Sequence, residues 1–334
     1  MAKRAAAGAL LVWLACAGVP EGRAQQAPPE VVDLAPVVVS GVQPGPGMWR
    51  VTNAQGHTLW ILGTVSPLPA RLDWRADEVK AVIASADAVL GPPGWTLDAD
   101  VGFFSRLTLL PSAMKAQHDP QGRRLQEILP PELYARWQPL KARYLGRGNG
   151  VEKDRPLVAA TRLYVAALDE VGLSPRSGVG KLLEKAYKAR GLTPVVTRVE
   201  VKVDDPRAAL KEVRASPLQD VACLQRTLDV VEHQMPLLVE RANAWAAGDI
   251  DALQQLALKS QYDACVGAIA DSELGRRRGM TNLDARAAEK WMGAARTVLA
   301  GNAVSFATVP VHTLVEPGGY LERLRQAGYH VESP

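Results

Sequence analysis

The stretch "TLWILGTVSPLP", Thr58–Pro69, decides the fold. Thr58 to Val65 is an apolar run of the length of one buried strand, and Gly63-Thr64 leads it into a proline-rich exit. A strand end is where a rigid scaffold presents side chains to a cleft. A hydrolase places a metal ligand or an activated nucleophile there. This chain presents a hydroxyl, Ser66, with no base beside it in sequence.

Working outward, "GMWRVTN" and "HTLWILGTV" form a hairpin around "AQG". Val79, Val82, Ile83 and Ala86 follow at helical spacing, and "AVLG" is a short strand broken by "PPG". A helical middle covers residues 102–190, with Pro131 suited to the first turn of one helix. "TPVVTRVEV" (193–201) returns to strand, residues 206–300 are again helical, and "AVSFATV", "GGYLERLRQAG" and "YHV" close the chain as strand, short helix and strand. Strands at both ends with helices between predict an α/β fold. Its central mixed sheet is built from N- and C-terminal strands and flanked by a large helical middle region.

The first residues belong to targeting. Lys3 and Arg4 precede an apolar segment too short to span a bilayer, and "GRA" supplies small residues before Gln25. This predicts a secretory signal peptide over residues 1–24 and a periplasmic location; a lipoprotein signal acylated on Cys16 is the alternative. Residues 25–46 read as a proline-rich, extended lead-in, and 47–334 as a single domain. No later apolar run is long enough to cross a membrane. Loss of the signal removes three cations and one anion, so the net charge falls from +4 to +2. That balance gives no reason to expect a nucleic-acid partner. The basic run Arg276–Arg278 reads as a solvated loop. Cys223 and Cys265 remain and predict one disulfide in an oxidising compartment, with a metal pair as the rival reading.

Several segments in order, "LWILGT", "EVKAVIASADAVL", "RPLVAATRL", "GVGKLLEKA", "ERANAWAAGDIDAL" and "SFATVPVHTLVEPGGYLERLRQAGYHV", resemble the TraB/GumN family, which includes the Tiki-type metalloproteases. The resemblance implies an α/β fold. In active members it implies a divalent metal between two Gly-x-x-His turns, helped by acidic residues, and metal-dependent hydrolysis, mainly of peptides. This chain departs from that pattern. Ser66 stands where the first histidine belongs, and Gly91-Pro92-Pro93 follows the strand that usually ends in a glutamate. Gly180 replaces an aspartate, Ala287 an asparagine after Arg286, and Val309 the glycine of the last turn, which keeps His312. Glu200 lies one position away from a family acidic residue.

A catalytic zinc takes three protein ligands and an open position for water, and serine is no substitute for imidazole. The expected function is therefore an exported binding or accessory protein of the cell envelope without metallohydrolase activity. The alternative is a metal-dependent hydrolase with a rearranged site. Candidate catalytic residues under that alternative are Ser66, Glu200 and His312, with His312 as a ligand for zinc or manganese; otherwise no cofactor is expected. The cleft candidates are Ser66, Pro92, Glu200, Arg286 and His312. Each has a plainer reading: a turn hydroxyl for Ser66, a solvated strand face for Glu200, a surface or capping role for Arg286, and a backbone hydrogen bond for His312. The remaining histidines, His57, His118, His233 and His330, read as ordinary, and Trp60, Trp74 and Trp95 as packing residues.

Overall fold

The structure, a computed structural model, describes residues 41–99, 103–215, 220–256, 265, 270 and 273–334. The expected signal peptide, Cys16 and residues 25–40 of the lead-in lie outside them. The hairpin of β1 (Met48–Thr52) and β2 (Thr58–Thr64) is followed by β3 (Leu68–Pro69), helix α1 (Asp77–Ser85), β4 (Ala88–Leu90) and β5 (Trp95–Asp98). The helical middle contains α2 (Phe103–Lys115), α3 (Leu125–Ile128), α4 (Pro131–Tyr144), α5 (Pro156–Glu170) and α6 (Gly178–Ala189), with β6 (Leu173–Ser174) before α6. Next come β7 (Val199–Lys202), α7 (Pro206–Ala215), α8 (Asp220–His233), α9 (Met235–Ala247) and α10 (Ile250–Gln255). The chain closes with α11 (Glu273–Arg277), α12 (Leu283–Gly301), β8 (Val304–Pro310), α13 (Val311–Val315), α14 (Tyr320–Gln326) and β9 (His330–Glu332).

The central sheet has the order β4-β8-β2-β1-β9. β1 is antiparallel to β2 and β9, whereas β2 and β4 both run parallel to β8. The predicted mixed sheet of N- and C-terminal strands is therefore observed. Successive side chains of a strand point to opposite faces, and β2 and β8 are covered on both. Leu62 and Phe306 pack with Ile83, Leu163 and Leu224 on one side; Leu59, Ile61, Ala307 and Val309 pack with Trp291 and Leu299 on the other. Double burial explains why both strands read as continuous apolar runs rather than alternating ones.

One expected strand is split. Val195 makes a single parallel bridge to Leu90, and pairing resumes only where β7 meets β5, an element the sequence did not signal. Pro92-Pro93-Gly94 interrupts the ladder, because a proline nitrogen has no proton to donate. The basic run is also not a solvated loop: Arg276 and Arg277 end α11, and both Arg277 and Arg278 pair with Glu212 of α7. Cys223 of α8 is bonded to Cys265, with Cα atoms 4.9 Å apart, so the disulfide reading holds.

Helix α9 fastens the carboxyl end of β2. Its indole Trp245 Nε1 donates to the Gly63 carbonyl at 2.9 Å, and the buried Arg241 donates to the Ser66 carbonyl at 2.6 Å. Trp245 also meets Trp74 edge-on, 5.3 Å between centroids. Gly248, in the left-handed region, closes α9, and the Asp249 side chain caps α10, as read from "AAGDIDAL". The last residues of the lead-in join this corner: Gly45 N–H donates to Ala246 O, and a β-carbon on Gly45 would sit 2.4 Å from the Trp74 ring.

Gly63 has equally little room. A β-carbon there would lie 2.6 Å from the Trp49 ring and 2.8 Å from a Val311 methyl. Gly63→Ala is expected to cost about 1–3 kcal/mol by overpacking, read as a lower urea midpoint with an unchanged slope. Trp245→Phe keeps most of the ring but leaves the Gly63 carbonyl without its donor, a loss of about 1–3 kcal/mol. A midpoint equal to that of the unaltered protein would show that neither constraint matters.

Candidate functional site

Parallel strands deliver their carboxyl ends to the same edge of a sheet, and the crevice beyond that edge is where open α/β folds take ligands. Here the edge is formed by β4, β8 and β2. The register pairs Thr64 with Pro310 and Leu90 with Ala307. Ser66 and His312 therefore stand at the same offset, two residues beyond paired positions of adjacent strands. Gly91 and Pro92 leave β4 on the other side of β8. Three of the candidates named from sequence are brought to one edge by topology alone.

Their chemistry is subdued. Ser66 is exposed; its Oγ donates to Pro175 O at 3.5 Å, a marginal bond, and its carbonyl accepts from Arg241. Pro92 offers only a carbonyl, and the Thr197 hydroxyl stands 2.9 Å from it and 2.8 Å from the Gly91 carbonyl, so that the exit of β4 is closed by a neighbouring side chain. His312 is half-buried on the short helix α13, and its carbonyl accepts from the Glu316 N–H. It lies just past the strand in a helical turn, not on the strand itself.

Glu200 does not belong to these strand ends. It sits on β7 opposite Thr96 of β5, in a separate two-stranded sheet, with an exposed side chain. Val199 and Val201 alternate with it and point inward, toward Met280, Leu283 and Ala287. The solvated-face reading describes it. Arg286 is exposed on the first turn of α12 and donates to the Gly279 carbonyl at 2.9 Å, which ties down the preceding turn. Trp74 and Trp95 pack as expected, and Trp60 lies half-buried under the Arg50 guanidinium, 5.9 Å from its ring centre.

The departures from the metallohydrolase pattern have distinct structural contexts. Val309, in place of a glycine, is fully buried in the second core cluster, and Ala287, in place of an asparagine, packs among Val199, Val201 and Leu283. Gly180 is different: a β-carbon there would meet nothing within 4 Å, so an aspartate is missing where space exists for one. A zinc site needs at least three donors converging on one point. Among the described residues, no group of three or more His, Cys, Asp or Glu is placed to hold a metal ion. A serine hydroxyl engaged with a carbonyl, a proline and one histidine do not fit a catalytic metal.

Sequence reading missed one pairing of chemical interest. His118, taken as ordinary, has its Nδ1 3.1 Å from a carboxylate oxygen of Asp154, which is almost completely buried. No spacing rule links two residues 36 positions apart in a loop and before a helix. The "DRP" before α5, an aspartate at a helix start, was the only local signal.

Comparison with curated proteins and with solved structures gives no significant match. The family comparison does: the profile of the TraB/PrgY/gumN family matches residues 47–333, from the first strand of the hairpin to the last strand of the sheet. The chain belongs to the TraB/PrgY/gumN family.

Proposed function

We propose that this family member is an exported protein that has given up metallohydrolase chemistry and serves as a binding or accessory protein of the cell envelope. One observation carries the reading. At the edge where the family's active members hold their metal, the backbone carbonyls that leave the strands are engaged internally, that of Ser66 with Arg241 and those of Gly91 and Pro92 with Thr197, and a serine stands in place of the first histidine. A metal that activates water needs an open coordination position and a carboxylate to handle the proton, and Glu200 stands in another sheet.

Export is supported by the leader-like first 24 residues and by the disulfide, since such bonds persist in oxidising compartments. On this reading the protein is periplasmic, or lipid-anchored through Cys16 in the alternative, and residues 47–334 act as one domain. No described helix is long and apolar enough to cross a membrane. The ligand or protein partner would meet the strand-end surface around Ser66, Pro92 and His312, with no role for nucleic acid.

The test is metal content. Protein purified without chelators is expected to carry no stoichiometric zinc or manganese, to bind neither tightly in calorimetry, and to melt at the same temperature in chelator. Stoichiometric metal that disappears in His312→Ala would replace this reading with a metal-dependent hydrolase using a rearranged site.

A further inference from the structure

Two buried carboxylates, Asp154 before α5 and Asp220 at the start of α8, are treated differently by their partners. Asp220 is paired with Arg155 at 2.6 Å, and both side chains are withdrawn from water, 8% and 7% exposed. That pair is internal. Asp154 is also withdrawn, 2% exposed, but its partners are not: His118 is 53% exposed with Nδ1 at 3.1 Å, and Arg162 is 51% exposed with Nε at 3.0 Å. One hidden carboxylate thus lies within ion-pair distance of a half-exposed imidazole and a half-exposed guanidinium, and Oδ2, the oxygen nearest Arg162, is buried without a hydrogen bond. Its burial makes it dependent on them, since an ionised carboxylate out of water needs paired charges; burial pushes the Asp154 carboxyl above its ordinary value against the pull of Arg162 and His118.

The position is held from the backbone as well. His118 and Asp154 form an antiparallel bridge, and Arg155 N–H donates to Gln117 O at 2.8 Å. Arg162, on the second turn of α5, reaches Asp154, which lies two residues before the helix begins. The neighbouring carboxylates already have partners. Asp119 accepts from Arg123, Glu152 from Lys141 and Trp137, and Asp220 from Arg155. Lys115 and Lys153 on the flanking segments are exposed. The local balance left toward solvent is positive.

We propose that His118 and Arg162, gathered around Asp154, form a receptor for a phosphate group. A guanidinium offers forked N–H donors suited to phosphate oxygens. An imidazole with a carboxylate beside one nitrogen can present the other to an incoming anion as a donor. Two donor groups on either side of one carboxylate match an anion with several oxygens. The receptor stands apart from the strand ends: α5, fifteen residues and about 22 Å long, leads from it to β6, which pairs with β3 just beyond Ser66.

Calorimetric titration of the full chain with inorganic phosphate tests this. The expected result is saturable binding at one site. His118→Gln and Arg162→Gln are each expected to weaken it about tenfold or more, the effect of one charged hydrogen bond, measured at a temperature where each variant is folded, since each removes a partner of the buried Asp154 and lowers the melting temperature. Lys188→Gln, in an exposed pair on α6, should leave it unaltered. Should His118→Gln prove unstable, the His118 ring signals in the unaltered protein are expected to shift on phosphate addition. Sedimentation with vesicles containing phosphatidic acid separates the sources: retention lost in Arg162→Gln assigns a lipid headgroup, and binding of free phosphate alone assigns a soluble one. No saturable binding to either, or binding indifferent to both substitutions, overturns the proposal.

Discussion

The parallel pairing of β2 with β8 is the constraint on which the rest of the structure depends. Seven residues of one strand, Thr58–Thr64, register with seven of another, Val304–Pro310, about 240 positions later. Everything between must leave the sheet, cover it and return in the right direction. A parallel neighbour demands a crossover connection, and a long one can carry many helices. The pairing also buries both strands on both faces, so their side chains have to satisfy two cores at once. That requirement selects an apolar run interrupted only where the backbone must make a close approach, at Gly63 beneath Trp49 and Val311.

The same pairing creates the strand-end edge, and it places Ser66 beside His312 without either residue having any local reason to be there. What surrounds that edge is then a matter of packing. Helix α9 reaches across to hold two carbonyls of the turn, and the last residues of the lead-in close over Trp74. The exit of β4 is held through Thr197. These are hydrogen bonds that consume acceptors rather than present them, since a buried carbonyl left without a donor is costly.

Much of the fold was legible because the signals were short-ranged. The hairpin, α1, β4, β8 and the last helix and strand are each announced by a periodicity of 2 or 3.6, or by an unbroken apolar run, within a single window. The caps are equally local: Asp249 accepts from the N–H three residues on, and Asp205 accepts from two N–H groups at the start of α7. β5 was not legible, because Trp95–Asp98 is half-exposed, has no alternation to speak of, and follows two prolines and a glycine. The basic run was misread because its partner, Glu212, lies more than 60 residues away on another helix.

The sequence by itself determined the fold class, the two strands at the centre of the sheet and the two cysteines available to pair. These follow from residue type and local spacing, since a side chain's chemistry and its periodicity belong to the chain. Only the tertiary structure decided which polar groups face one another. It set Glu200 in a separate sheet with its face to solvent, made a capping residue of Arg286, and put His118 and Arg162 on one buried carboxylate. The physical reason is range: a charged group is worth little in water and much beside a buried partner, and the partner is supplied by packing between distant segments.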